Sequence, residues 1–161
     1  MHRFRIRLAL GMLLWVASVP ANSQQPSATV RVYKDPTCGC CEKWVEHLRS
    51  AGFVVAVVNA PDVTAIKDKQ LVPKQARSCH TGVVNGYAIE GHVPAADVRR
   101  FLSNRPAGAL GLTVPGMPQG SPGMEVAGGR VQPYDVLAFD KNGRTWYSRA
   151  TAAKSRITCS A

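Results

Sequence analysis

The chain predicts an α/β fold: a mixed sheet with flanking helices, plus an added C-terminal Gly/Pro/Met loop and β-hairpin. Three observations predict it. Short β-branched runs alternate with runs of helical period between residues 28 and 104. The pair Asn85-Gly86, which favours a two-residue hairpin turn, splits one apolar run in two. Beyond residue 104 the pattern gives way to a stretch dense in Gly and Pro, and then to two further β-rich runs.

The elements follow in order. ATVRVYK (28–34) alternates Val30 and Val32 beside Tyr33 and reads as a strand. DPTCGC is a turn. Cys41 to Ala51 reads as a helix that stops at Gly52, with Trp44, Val45 and Leu48 on its apolar face. FVVAVVN (53–59) is apolar until its last residue, which predicts a central strand buried on both faces. PDVTAIKDKQL (61–71) reads as a weaker helix with Pro61 at its start and Asp62 in its first turn. CHTGVV and YAIEGHV form a hairpin about Asn85-Gly86. PAADVRRFLSN (94–104) is a helix with Pro94 in its first turn. GALGLTVPGMPQGSPGMEVAGGR (108–130) is expected as an irregular loop. YDVLAFD and RTWYSRA, joined by KNG, form a second hairpin expected to pack on the same sheet. The tail TAAKSRITCSA (151–161), with Cys159, is expected to fray.

The order strand, helix, strand, helix, strand, strand, helix is the thioredoxin-like arrangement, a crossover helix followed by an antiparallel hairpin. SCHTGVVNGYAIEG also resembles the glutaredoxin segment Thr-Val-Pro-x-x-x-x-Asn-Gly-x-x-Ile-Gly-Gly. Anchored on Asn85-Gly86 and Ile89, that resemblance puts His80 at the cis-proline position with Cys79 just before it. Both are then expected beside the turn that holds Cys38, Cys40 and Cys41.

Residues 1–23 read as a secretory signal peptide. Arg3, Arg5 and Arg7 precede an apolar run from Leu8 to Val19, and small residues suit cleavage after Ala21 or Ser23. The apolar run is short for a bilayer span of about 20 residues. Residues 24–161 are expected as a single domain, with a core over 28–104, a C-terminal extension over 105–150 and a tail over 151–161. The formal charge of +10 falls to about +7 without the three leader arginines. The remaining basic residues are scattered, with no dense run and no aromatic interleaving, so no nucleic-acid partner is expected. No membrane contact is expected of the mature form.

Five cysteines in an oxidising compartment leave one over. Cys40 and Cys41 are neighbours, a poor geometry for a bridge between them. Crowded thiols therefore point to metal or redox chemistry more than to structural disulfides. Soft Cu(I) prefers thiolate and thioether ligands, and a helix start favours thiolates. Gly39 is expected to let the loop close around a metal. His47 lies seven residues beyond Cys40 on the helix, a rise of about 10 Å, and reads as structural. Trp44 reads as core. His80 is balanced between a ligand and a residue that orients one, and His92 leans structural. Met117 and Met124 are gap-fillers by default, but their loop can fold over the cysteines.

VYKDPTCGCCEKWVEHL, SCHTGVVNGYAIEGHVPAADV and GLTVPGMPQGSPGME together resemble the CopG-type copper-resistance proteins, over roughly Val30 to Phe139. The resemblance implies a periplasmic thioredoxin-like protein that binds copper through the C-x-C-C cluster in a multi-copper thiolate site. It also implies a role in interconverting copper oxidation states, and so a copper oxidoreductase activity. On this reading Cys38, Cys40, Cys41 and Cys79 are the ligands of more than one Cu(I) ion. His80, Met117, Met124 and His92 are additional ligands or supports. The partners are copper ions and periplasmic copper-handling or electron-transfer proteins. Cys159 lies outside the resemblance. Two alternatives stay open: a thiol–disulfide oxidoreductase using Cys38-Gly39-Cys40-Cys41 as a C-x-x-C motif, and a structural zinc site made of four cysteines.

Overall fold

The computed structural model describes residues 28–150. The expected leader and Cys159 lie outside the described residues. One seven-stranded mixed sheet runs through them in the order β2-β1-β3-β4-β5-β6-β7. β1 (Val30–Lys34) pairs in parallel with β2 (Val55–Asn59) across the crossover helix α1 (Gly39–Ser50). α2 (Thr64–Lys69) and a single 3-10 turn, Lys74–Ala76, lead to β3 (Thr81–Val84), which joins the other side of β1 antiparallel. β3 and β4 (Tyr87–Glu90) form the hairpin about Asn85-Gly86. Both turn residues have positive φ, 50° and 82°, as a type I′ turn requires.

α3 (Ala95–Ser103) then crosses to β5 (Gly111–Thr113), parallel to β4. β6 (Asp135–Phe139) and β7 (Thr145–Ala150) extend the sheet as the expected second hairpin. α1 and α3 bury Trp44, Val45, Leu48, Val98 and Phe101 against Val30, Val32, Ile89, Leu112 and Val136. The other face carries a smaller cluster of Val72, Ala88 and Phe139. Residues alternate between faces, so Ile89 enters the first cluster and Ala88 the second. Trp44 is fully buried, and its indole N–H donates to Val93 O at 2.8 Å. That bond gives the ring its polar partner and pins α1 to the segment after β4.

Three expectations need correction. β2 is an edge strand, not a central one. Val54 is 50 % exposed and Val58 37 %, while Val55 and Val57 pack against the core. A uniformly apolar run resembles a strand buried twice, and only the pairing partners reveal an edge. β5 lies inside the stretch expected to be irregular. It is three residues long and wholly buried, and a Cβ on Gly111 would collide with the Ala88 carbonyl. Leu112-Thr113-Val114 between Gly111 and Pro115 is too short a run to stand out. Finally, α2 begins at Thr64, so Asp62 precedes it and accepts a hydrogen bond from Thr64 N at 2.7 Å.

Candidate metal centre

The turn after β1 is built by its own residues. Asp35 accepts hydrogen bonds from the backbone N–H and the hydroxyl of Thr37, which hold its carboxyl below the ordinary range. Cys38 follows as the N-cap of α1, with no side-chain cap. Cys40 and Cys41 lie in the first turn, where the helix field favours negative sulfur. Lys34, buried beneath the turn, pairs with Glu42 at 3.2 Å.

Cys79 and His80 arrive from the other side, just before β3, and His92 from just after β4. The Sγ atoms of Cys38, Cys40, Cys41 and Cys79 all lie within 4.8 Å of one another. The same limit holds for the ligand atoms of Cys79, His80 and His92. Cys79 belongs to both sets. Its Sγ is 3.2 Å from His80 Nδ1 and 3.2 Å from His92 Nε2. His92 therefore joins the constellation through Cys79.

The sulfurs are not all free. Cys38 and Cys41 are joined in a disulfide, with Cα atoms 5.3 Å apart, and Cys40 Sγ lies 3.5 Å from Cys38 Sγ. The expected set of four thiolates is thus two thiols and one disulfide in this state. Positions 38 and 41 are about one helical turn apart and bring their sulfurs together, while Cys40 stays a free thiol within 4.8 Å of both.

Burial governs the titration of the hairpin side. It pushes the Cys79 thiol up to about 11, with the nearby Cys40 adding to the rise. His80 is held well below its ordinary value, first by burial and then by His92 and Lys67. His92 is lowered, also by burial first. His92 Nδ1 lies 2.8 Å from Pro122 O. A carbonyl only accepts, so Nδ1 carries the proton and Nε2 presents its lone pair to Cys79. That is how metal-ligating imidazoles are commonly prepared. His80 Nε2 is buried and makes no hydrogen bond among the described residues. His80 stacks on Trp44, ring centroids 4.4 Å apart.

A carboxylate at the end of β4 fixes the hairpin side. Glu90, fully buried, takes hydrogen bonds from Ser78 N at 2.7 Å, Thr81 Oγ1 at 2.6 Å and Lys67 Nζ at 2.6 Å. Ser78 and Thr81 flank Cys79 and His80, so one carboxylate clamps both ends of that segment. Sequence reasoning missed Lys67, Glu90 and the Pro122 carbonyl. No local spacing connects residues 67, 78, 81 and 90.

The Gly/Pro/Met loop folds against the centre. Ser78 Oγ donates to Gly116 O. Gly123, at φ +88°, seats so closely that a Cβ would stand 2.7 Å from Cys40 O. Met117 is 53 % exposed and Met124 half-buried. His47 lies elsewhere, as expected. Its Nε2 accepts the Ala95 N–H at 3.0 Å and so holds the start of α3.

The donor set of cysteine sulfur and neutral imidazole suits soft or borderline ions such as Cu(I), Cu(II) or Zn(II). Comparisons with known proteins now bear on the choice. A family model described as "Protein of unknown function, DUF411" matches residues 76–124, the segment that runs from the 3-10 turn through Met124. Comparison with curated proteins gives no match. Two solved structures, described as copper resistance protein copG forms 2 and 1, are each 40 % identical to the chain with a TM-score of 0.73. They cover 78 % of this chain, and 99 % and 98 % of their own. With that identity sustained over nearly the whole length of the relatives, this chain belongs to the family of copper resistance protein CopG.

Proposed function

We propose that the protein is a periplasmic copper-handling protein, exported by residues 1–23, that holds Cu(I) and interconverts Cu(I) and Cu(II). One observation carries the reading: Cys79 is surrounded by three other sulfurs and two imidazoles, the six side chains coming from three separate segments. Cys38, Cys40, Cys41 and Cys79 are the thiolate ligands when all are reduced, and His80 and His92 extend the set. Sulfurs this close bridge ions more readily than they enclose one, so more than one copper binds. Met117 and Met124, on the loop folded over the centre, are the remaining soft donors. The relatives' designation as copper resistance proteins supports copper over zinc.

The Cys38–Cys41 disulfide favours a second reading, a thiol–disulfide oxidoreductase working through Cys38-Gly39-Cys40-Cys41. Against it, Cys40 crowds the disulfide, its Sγ 3.5 Å from Cys38 Sγ. A metal ion would displace the Cys79 proton and make that sulfur a ligand. Titration of the fully reduced chain with Cu(I) against a competing chelator tests the proposal. More than one Cu(I) is expected per chain, with a loss of affinity in Cys79→Ser. Unchanged affinity in that variant would remove Cys79 from the site. Efficient disulfide turnover without copper, and no redox change at bound copper, would favour the second reading.

A further inference from the structure

We infer that the Cys38/Cys41 dithiol is the internal electron source that converts incoming Cu(II) to Cu(I), while Cys40, Cys79, His80 and His92 keep hold of the copper. This rests on the copper-handling reading and deepens it, by naming the oxidation state taken in and the atoms oxidised.

The disulfide consumes two donors and leaves a connected set behind. Cys79 Sγ stays within 3.2 Å of nitrogens on both imidazoles. Cys40 remains a free thiol beside Cys38 and within 4.8 Å of Cys79. Closing Cys38 to Cys41 therefore shrinks the site without dismantling it. His92 presents a lone pair through its fixed tautomer, and His80 holds a buried nitrogen with no hydrogen bond among the described residues. Imidazole accepts Cu(II), whereas thiolate favours Cu(I). The arriving ion has donors on the hairpin side, and the reduced ion gains them from sulfur.

Electrons run from thiol to copper because the sulfur-rich set stabilises the reduced ion. The step balances. Two Cu(II) ions each accept one electron, and the Cys38 and Cys41 thiols each give up one electron and one proton. The protons pass to solvent and one S–S bond forms. The pair is selected by geometry: Cys38 and Cys41, with Cα atoms 5.3 Å apart, are the two that bond, while Cys40 and Cys79 stay free thiols within 4.8 Å of them. Cys38 also lies on the partly exposed turn before α1, with Cys41 buried behind it. A dithiol reductant in solution can therefore attack Cys38 and restore the pair.

The test starts from the purified chain, reduced and freed of reductant without oxygen, to which Cu(II) is added. Cu(I) is read with a Cu(I)-specific chelator, and disulfides are located by peptide mass spectrometry. About two Cu(I) are expected for each disulfide formed, and the new bond is expected between Cys38 and Cys41. Cys38→Ser is expected to form at least about tenfold less Cu(I) in the first turnover. A bond mapped instead to Cys40–Cys79 or to Cys159 would overturn the inference, as would Cu(I) formed with Cys38 and Cys41 still thiols. These readouts come from the wild-type chain and do not depend on the variant folding. A reduced chain that takes up no Cu(I) offered directly would overturn the copper reading itself.

Discussion

The two sides of the candidate metal centre are built in opposite ways. The sulfur turn, residues 35–41, is contiguous, partly exposed and held by local bonds and one disulfide. The hairpin side gathers Cys79, His80 and His92 from the two ends of β3–β4 and locks them with a buried ion pair and the Pro122 carbonyl. A rigid, dry template thus faces a turn whose covalent state can change. In the redox step proposed above, Cys79, His80 and His92 would keep their partners while Cys38 and Cys41 form a bond.

If the hairpin side is the rigid one, breaking its clamp has the largest effect. Glu90→Ala strands the Lys67 ammonium in the interior and frees Ser78 N and Thr81 Oγ1. Removing one partner of a buried pair costs about 3–5 kcal/mol, and chemical denaturation of the metal-free chain measures it. Cu(I) affinity is expected to fall with it, since Cys79 loses its anchors. An effect below about 1 kcal/mol, the size of an exposed pair, would mean that the clamp does not set this rigidity.

The sulfur turn should cost less to release. Reducing the disulfide, or substituting Cys38→Ser, removes a loop closed over three residues. The chain-entropy relation gives about 2 kcal/mol for so short a loop. Chemical denaturation of oxidised against reduced chain measures it. A loss as large as that of Glu90→Ala would abolish the contrast between the two sides.

Legibility in the sequence followed the same division. The sulfur turn was readable because Cys38, Cys40 and Cys41 are adjacent in the chain. Cys79 and His80 were readable because Asn85-Gly86 fixed the hairpin register. The clamp was not: Lys67 and Glu90 are 23 residues apart and look like ordinary surface charges until the sheet folds. The tautomer of His92 was not legible either, because it depends on a carbonyl 30 residues away. The fold followed suit. β1, α1, the hairpin and α3 carry strong local patterns, whereas the edge position of β2 and the three residues of β5 depend on non-local pairing.

Acid and alkali should act on the hairpin side. His80 and His92 are buried neutral, with folded values below the ordinary 6.5. The unfolded chain then binds more protons below that value. Stability of the metal-free chain should be level above about pH 6.5 and fall as the pH drops through it, by up to about 1.4 kcal/mol per pH unit for each histidine. Cys79 works in the opposite sense. Its thiol is raised from 9.0 to about 11, so stability is lost as the pH rises from the first value to the second. Denaturation across pH should give a plateau with two shoulders, and Cys79→Ala should remove the alkaline one. Retention of that shoulder in the variant would assign it elsewhere.

The smallest effect is expected at Gly39, and it bears on how far the sulfur turn moves. The sequence suggests a glycine that lets the loop close around metal. The structure gives it no such duty: Gly39 is the first residue of α1, and a Cβ there would meet nothing within 4 Å. Its φ lies outside the left-handed region, so alanine fits without strain. Gly39→Ala should stabilise the metal-free chain by about 0.4–1 kcal/mol, by narrowing the unfolded ensemble. Copper affinity should not change, because the added methyl faces open space. A gain in stability with a tenfold or greater loss of Cu(I) affinity, about 1.4 kcal/mol, would be the informative failure. The turn would then have to leave its helical conformation when copper binds, and the glycine would be serving the bound state alone.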